Sequence, residues 1–164
     1  MRSISKYRLW RGDKLTNRLS RLRHYRGHGV HSPYVYSIVR NILMNRSLQS
    51  ENIKLLEELT KFGVSTKTAT EITNIAAHCN LNSISIDNSQ NADFIICSEN
   101  CTEEKIEKMA NEAAQNGIAI VILSPYKKVK ICNTLLLINR STSIDRFTYL
   151  IFLNNHLPKQ HFKL

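Results

Sequence analysis

A chain of 164 residues with 42% hydrophobic and 22% charged side chains has the size and composition of one globular domain that can bury a core without staples. No apolar run approaches the ~20 residues of a membrane span, and the start, MRSISKYRLWRGDK, lacks the apolar segment of a secretory signal. The expectation is therefore a cytoplasmic protein without a membrane span. Its formal charge of +10 is uneven: residues 1–46 hold eleven of the 23 basic side chains and one acid, Asp13, and the other 118 residues balance to zero. Such an arm attracts polyanions by long-range electrostatics, which makes nucleic acid a candidate partner.

In chain order, Leu15, Leu19 and Leu22 recur at helical spacing among arginines, which predicts a basic amphipathic helix over Lys14–Tyr25. The glycines of RGHG then break it. In HSP, Ser32 can cap a helix and Pro33 can open it, so the next helix is predicted from about Pro33 to Met44, burying Val35, Ile38, Val39 and Ile42. SENIKLLEELTKFG reads as a short helix with a capping serine and a stop at Gly63. STKTATEITNIAAHCN reads as another, with Ala69, Ile72, Ile75 and Ala76 on one side.

After that the period changes. NSISID (82–87) and ADFIICS (92–98) predict strands, the second nearly continuously apolar. The residues between the runs are too few for an ordinary parallel crossover of about a dozen, so either the runs form a hairpin or a segment has been deleted. TEEKIEKMANEAAQNG predicts a helix capped by Thr102 and ended by Gly117. IAIVIL (118–123), KICNTLLLIN and RFTYLIFL predict three more strands, the last two an antiparallel pair joined by RSTSID. The cysteines Cys79, Cys97, Cys101 and Cys132 include one C-x3-C pair but no second close pair or nearby histidine, so they read as small buried hydrophobes and no metal site is expected.

HGVHSPYVY near the start, SIDRFTYLIFLNNHLPKQHFKL at the close and NADFIICSEN with NGIAIVILS between them resemble a bacterial family of class I S-adenosylmethionine-dependent methyltransferases. The resemblance implies an α/β fold with a methyltransferase-like (Rossmann-like) sheet, parallel at its centre with an antiparallel terminal pair, behind a helical amino-terminal region. It divides the chain into a basic helical segment, 1–46, and an incomplete methyltransferase-like domain, 47–164. It implies S-adenosylmethionine as cofactor, and it places HGVHSP in the helical segment before the cofactor-binding domain. There His28 and His31 can cap, pair with a carboxylate or line the mouth of a cleft. With Arg21, Arg23 and Arg26 they are the candidates for a cleft or polyanion-binding surface.

The departures from the family pattern are chemical. A methyltransferase of this class needs a glycine-rich turn after its first strand and an acid after its second, the logic of dinucleotide sites. The nearest string, ELTKFGVST (58–66), keeps Gly63, Ser65 and Thr66 but has no earlier glycine and carries Lys61. The competing reading of that string is a helix end, with Gly63 as stop and Ser65 as the next cap. Asp87 is either the ribose-binding acid or a turn former. The acidic stretch that family members carry after the fifth strand is VILSPYKK here, with Lys127 and Lys128 in place of acids. No constellation of carboxylates and histidines for catalysis emerges. Three functions remain open: a degenerate methyltransferase-fold protein with weak or no S-adenosylmethionine binding, an active methyltransferase of unknown acceptor that a partner chain could complete as a homo- or hetero-oligomer, and a nucleic-acid or polyanion-binding module using the arm, where Tyr7, Trp10 and Tyr25 add stacking surfaces.

Overall fold

A computed structural model describes residues 30–45, 47–48, 51–155 and 157–164. The helix expected over Lys14–Tyr25, together with Arg21, Arg23, Arg26 and His28, lies outside them. The chain divides after Asn82 into a helical unit and a sheet unit.

In the helical unit, α1 (Pro33–Ile38) opens where Ser32 Oγ accepts the Val35 N–H at 3.4 Å, and it runs on as a π-helical turn over Val39–Leu43. Val35, Ile38, Val39 and Ile42 are buried, as their spacing predicts. Helix α2 (Ile53–Lys61) is capped by Asn52, whose Oδ1 accepts the Leu55 N–H at 3.1 Å. The cap is thus Asn52 and not the expected serine, because the asparagine stands immediately before the first helical residue. Leu55 and Leu59, four apart, form its buried stripe. The helix ends at Gly63, where φ is +81° and the N–H groups of Gly63 and Val64 fold back onto the carbonyls of Thr60 and Leu59. Helix α3 (Thr66–His78) follows at once from its cap Ser65, with Ala69, Ile72, Ile75 and Ala76 buried.

The sheet unit is α/β, with a six-stranded mixed sheet in the order β1-β2-β3-β5-β4-β6. Its strands are β1 (Ile84–Ile86), β2 (Phe94–Cys97), β3 (Ala119–Leu123), β4 (Ser143–Asp145), β5 (Tyr149–Phe152) and β6 (His161–Lys163). The pairings β1–β2, β2–β3 and β4–β6 are parallel, whereas β5 runs antiparallel to both β3 and β4. Between β2 and β3 lies α4 (Glu103–Asn116), capped by Thr102, with Glu103 and Glu104 at its positive end and the left-handed Gly117 as its stop. Helix α5 (Val129–Ile138) follows β3. Ile106, Met109 and Ala113 of α4 and Ile131, Cys132 and Leu135 of α5 share one core with Ile95, Ile120, Leu150 and Phe152 of the strands.

Two expectations are corrected. KICNTLLLIN is a helix, not a strand: its buried side chains, Ile131, Cys132, Leu135 and Leu136, keep helical spacing while Leu137 and Ile138 are exposed. The antiparallel pair is consequently β4–β5, with β4 inside the presumed connector RSTSID. The runs NSISID and ADFIICS pair in parallel, with Ile84 opposite Phe94, so the hairpin alternative falls. A three-residue strand spans only about 10 Å, so a short loop can carry the chain back to the start of β2. Left-handed Asp87 and Asn91 turn it, and Ser83 exchanges bonds with Asp93 at its base. Ser89 Oγ anchors its middle to Glu112 of α4 at 2.7 Å.

Candidate functional site

In open α/β sheets ligands settle outside the carboxyl ends of parallel strands, where the strand order reverses. Here those ends carry Asp87 after β1, Ser98 after β2 and Ser124 after β3. Asp87 takes φ of +54°, and its N–H donates to Ile96 O at 2.9 Å. Its carboxylate accepts the Ser98 N–H at 2.7 Å and the Ser98 Oγ–H at 2.5 Å. The acid therefore ties the end of β1 to the turn that follows β2.

The Ser98 carbonyl completes that tie. It accepts the Cys101 N–H at 3.2 Å, which closes the turn, and the Lys128 ammonium at 2.7 Å. Lys128 is only 6% exposed, so its long side chain fills space at the strand ends. A buried ammonium is tolerated only where acceptors and negative charge compensate it. The Ser98 carbonyl supplies the acceptor, and Asp87 bonds the same serine.

Further out, Glu99 pairs with Lys127 and accepts the Ser124 hydroxyl at 2.8 Å. Those two bonds, Lys127 first, hold the Glu99 carboxyl below its ordinary range, and Glu99 in turn raises Lys127. Ser124 is left-handed, with φ of +49°, and opens a 3-10 turn over Pro125–Lys127. That turn presents Tyr126 to Phe147, their rings stacked at 5.3 Å and 10°.

Two thiols sit beneath this polar layer. Cys97 ends β2 fully buried, and Cys101, 7% exposed, lies in the same core cluster. Cys132 on α5 is pushed up to about 12 by burial. Among the described residues no group of three or more His, Cys, Asp or Glu is placed to hold a metal ion, and no helix is long and apolar enough to cross a membrane.

At the opposite end of the sheet a cavity of about 340 Å³ opens between α4 and α5, lined in part by Asn111, Gln115, Asn139, Arg140, Ser141 and Asn154. Its polar wall is internally bonded. Asn139 Nδ2 and Ser141 Oγ both donate to Asn154 Oδ1 at 3.0 Å, and Asn154 Nδ2 donates to Ile118 O at 2.6 Å.

Of the residues singled out from sequence, Gly63 and Ser65 stand between two helices, as stop and cap. A Cβ placed on Gly63 would meet nothing within 4 Å. Asp87 stands at the strand ends in the bonds just described. His31 is exposed just ahead of α1. His78 ends α3 and meets Ser37 Oγ at 2.9 Å; His161 lies in β6 with Nδ1 at 2.9 Å from Ser143 Oγ. Ser98 was not singled out; the C-x3-C pair was read as buried hydrophobes and Lys128 only as one of two lysines after β3. No family model matches this sequence, no curated protein matches it, and no solved structure matches its fold.

Proposed function

We propose that this chain is a shortened methyltransferase-type domain that has given up cofactor binding and serves as a binding or scaffolding protein. The observation that carries the reading is the surroundings of Gly63. The string that stands for the glycine-rich turn joins the end of α2 to the cap of α3, with no strand ahead of it. A nucleoside cradle needs a strand to deliver the backbone and glycines to let it approach. A helix stop supplies neither.

Three further features support it. The parallel centre passing into an antiparallel pair is the form the family resemblance implies. Yet β1 is an edge strand, so β1, β2 and β3 proceed in one direction across the sheet and the strand order does not reverse beside β1. Asp87, the candidate for the ribose hydroxyls, has its two carboxylate oxygens occupied by Ser98. Gly63, Ser65 and Asp87 therefore do not fit S-adenosylmethionine, and no transfer step follows from them. The test is titration calorimetry of the full chain with S-adenosylmethionine and S-adenosylhomocysteine. The expected result is no saturable heat; micromolar binding that Asp87→Ala abolishes would establish the active-methyltransferase alternative instead.

One observation favours a second activity alongside this one, namely that the whole excess of +10 lies in residues 1–46. An arm of that charge, carrying Arg21, Arg23 and Arg26, binds nucleic acid or another polyanion by counterion release. Its affinity for a random-sequence RNA should fall steeply as salt rises, and a flat response would count against it.

A further inference from the structure

The C-x3-C pair has a geometry that packing alone does not require. Cys97 is the last residue of β2, and the turn from Ser98 to Cys101 is closed by the Cys101 N–H on the Ser98 carbonyl at 3.2 Å. That turn folds Cys101 back toward Cys97, and both lie in one core cluster, near enough to shift each other's titration. The same Ser98 carbonyl holds the Lys128 ammonium at 2.7 Å, which places a fixed positive charge beside the pair. Asp87 lies close by and accepts from Ser98. Cys97 is sealed at 0% exposure, while Cys101 at 7% is the member that solvent reaches.

We propose that Cys97 and Cys101 form a peroxide-responsive dithiol site in which Cys101 is oxidised first and Cys97 resolves it to a disulfide. A neighbouring ammonium favours a thiolate, and the reactive species in such chemistry is the thiolate. Consistent with this order, the hydrogen bond from Cys97 holds the Cys101 thiol below its ordinary range and pushes Cys97 up; Asp87 opposes the first effect and Lys128 assists it. The Cys101 thiolate attacks hydrogen peroxide: an S–O bond forms, the O–O bond breaks, and the departing hydroxide takes up a proton as water. Cys97, losing its proton, attacks the sulfenic sulfur. An S–S bond forms, the S–O bond breaks, and a second water leaves. In total two thiols and one hydrogen peroxide give one disulfide and two waters. The remaining thiols lack this arrangement: Cys79 lies in the helical unit and accepts the Tyr34 hydroxyl at 3.0 Å, and Cys132 is fully buried.

The test uses the reduced full-length wild type treated with dilute hydrogen peroxide, free thiols and intact mass being followed together. The expected result is loss of two thiols and 2 Da, reversed by dithiothreitol, with tandem mass spectra showing a closed loop from Cys97 to Cys101. Cys97→Ser is expected to stop at a dimedone-trappable sulfenic acid on Cys101, whereas a Cys79→Ser, Cys132→Ser double variant should oxidise like the wild type. Four thiols oxidised at equal rates, a disulfide that uses Cys79 or Cys132, or progression to sulfinic acid without a cross-link would each overturn the proposal. The wild-type peptide map decides the matter even where a variant fails to fold.

Discussion

The two ends of the sheet contrast in chemistry. At the carboxyl ends of β1–β3 the polar groups are charged and mutually occupied, with Asp87, Ser98 and Lys128 bonded together over space that a ligand would otherwise enter. At the other end, the uncharged side chains of Asn139, Ser141 and Asn154 bond to one another beside an open cavity of about 340 Å³ that Arg140 also lines. The lesson is that the strand ends, the ligand position usual in open α/β sheets, carry a structural joint here. Free volume survives where the topology gives no reason for a nucleoside to bind.

The most disruptive way to probe the contrast is Asp87→Ala. It strips a charged acceptor from the Ser98 N–H and hydroxyl, and bonds to charged groups are worth about 1.5–3 kcal/mol each when lost. We expect a loss of about 3 kcal/mol in urea unfolding, with Asp87→Asn milder because one acceptor remains. A change below about 0.5 kcal/mol would remove the joint from the account. Lys128→Met should cost about 2 kcal/mol by the same measurement, since it keeps the packing of the stem but leaves the Ser98 carbonyl without its charged donor. At the other end Asn139→Ala should cost less, about 1.5 kcal/mol, because its two bonds join uncharged partners. If the cavity wall proved the costlier to break, the contrast would be reversed.

Gly63→Ala separates a helix stop from a cofactor loop. Its φ of +81° penalises a Cβ, but nothing stands within 4 Å, so the cost should be about 1 kcal/mol of backbone strain. Gly63→Asn, which tolerates that conformation better, should cost less.

The gentlest effect comes with pH. Burial raises Cys132 to about 12 from an ordinary thiol value of 9.0, and Cys79 and Cys97 are raised in the same direction. The unfolded chain gives up these protons at a pH where the folded chain keeps them. Their stabilisation is therefore complete below about pH 9 and fades as pH climbs from there toward about 12; the lowered Cys101 works weakly the other way. Unfolding midpoints should decline above about pH 9, and Cys132→Ser should flatten the decline. A midpoint that rose through that window would contradict the assigned burial.

What the sequence disclosed was local. Thr102 and Gly117 mark both ends of α4, and the unbroken apolar run of β3 lies inside one element, so both are legible without tertiary information. The helix α5 was not, because LLLI is apolar at successive positions and only the partner surface decides which side is buried. Strand length misled in another way. The linker residues between the two runs are too few for strands of ordinary length, but β1 has three residues, and that brevity is set by its pairing with β2. The same limit applies to the site. Asp87 can be seen as an acid or a turn former, but Ser98 lies eleven residues away and Lys128 thirty residues beyond Ser98. Only the sheet brings them together.

The central claim is that the strand-end joint, with Gly63 spent on a helix stop, leaves no seat for an adenosyl cofactor. Its most direct test is the urea midpoint of the wild type with and without about 1 mM S-adenosylhomocysteine, since a ligand at about a thousand times its Kd stabilises the folded state by about 4 kcal/mol. The account predicts superimposable unfolding curves. A ligand-dependent shift approaching that size would show a working cofactor site and contradict it.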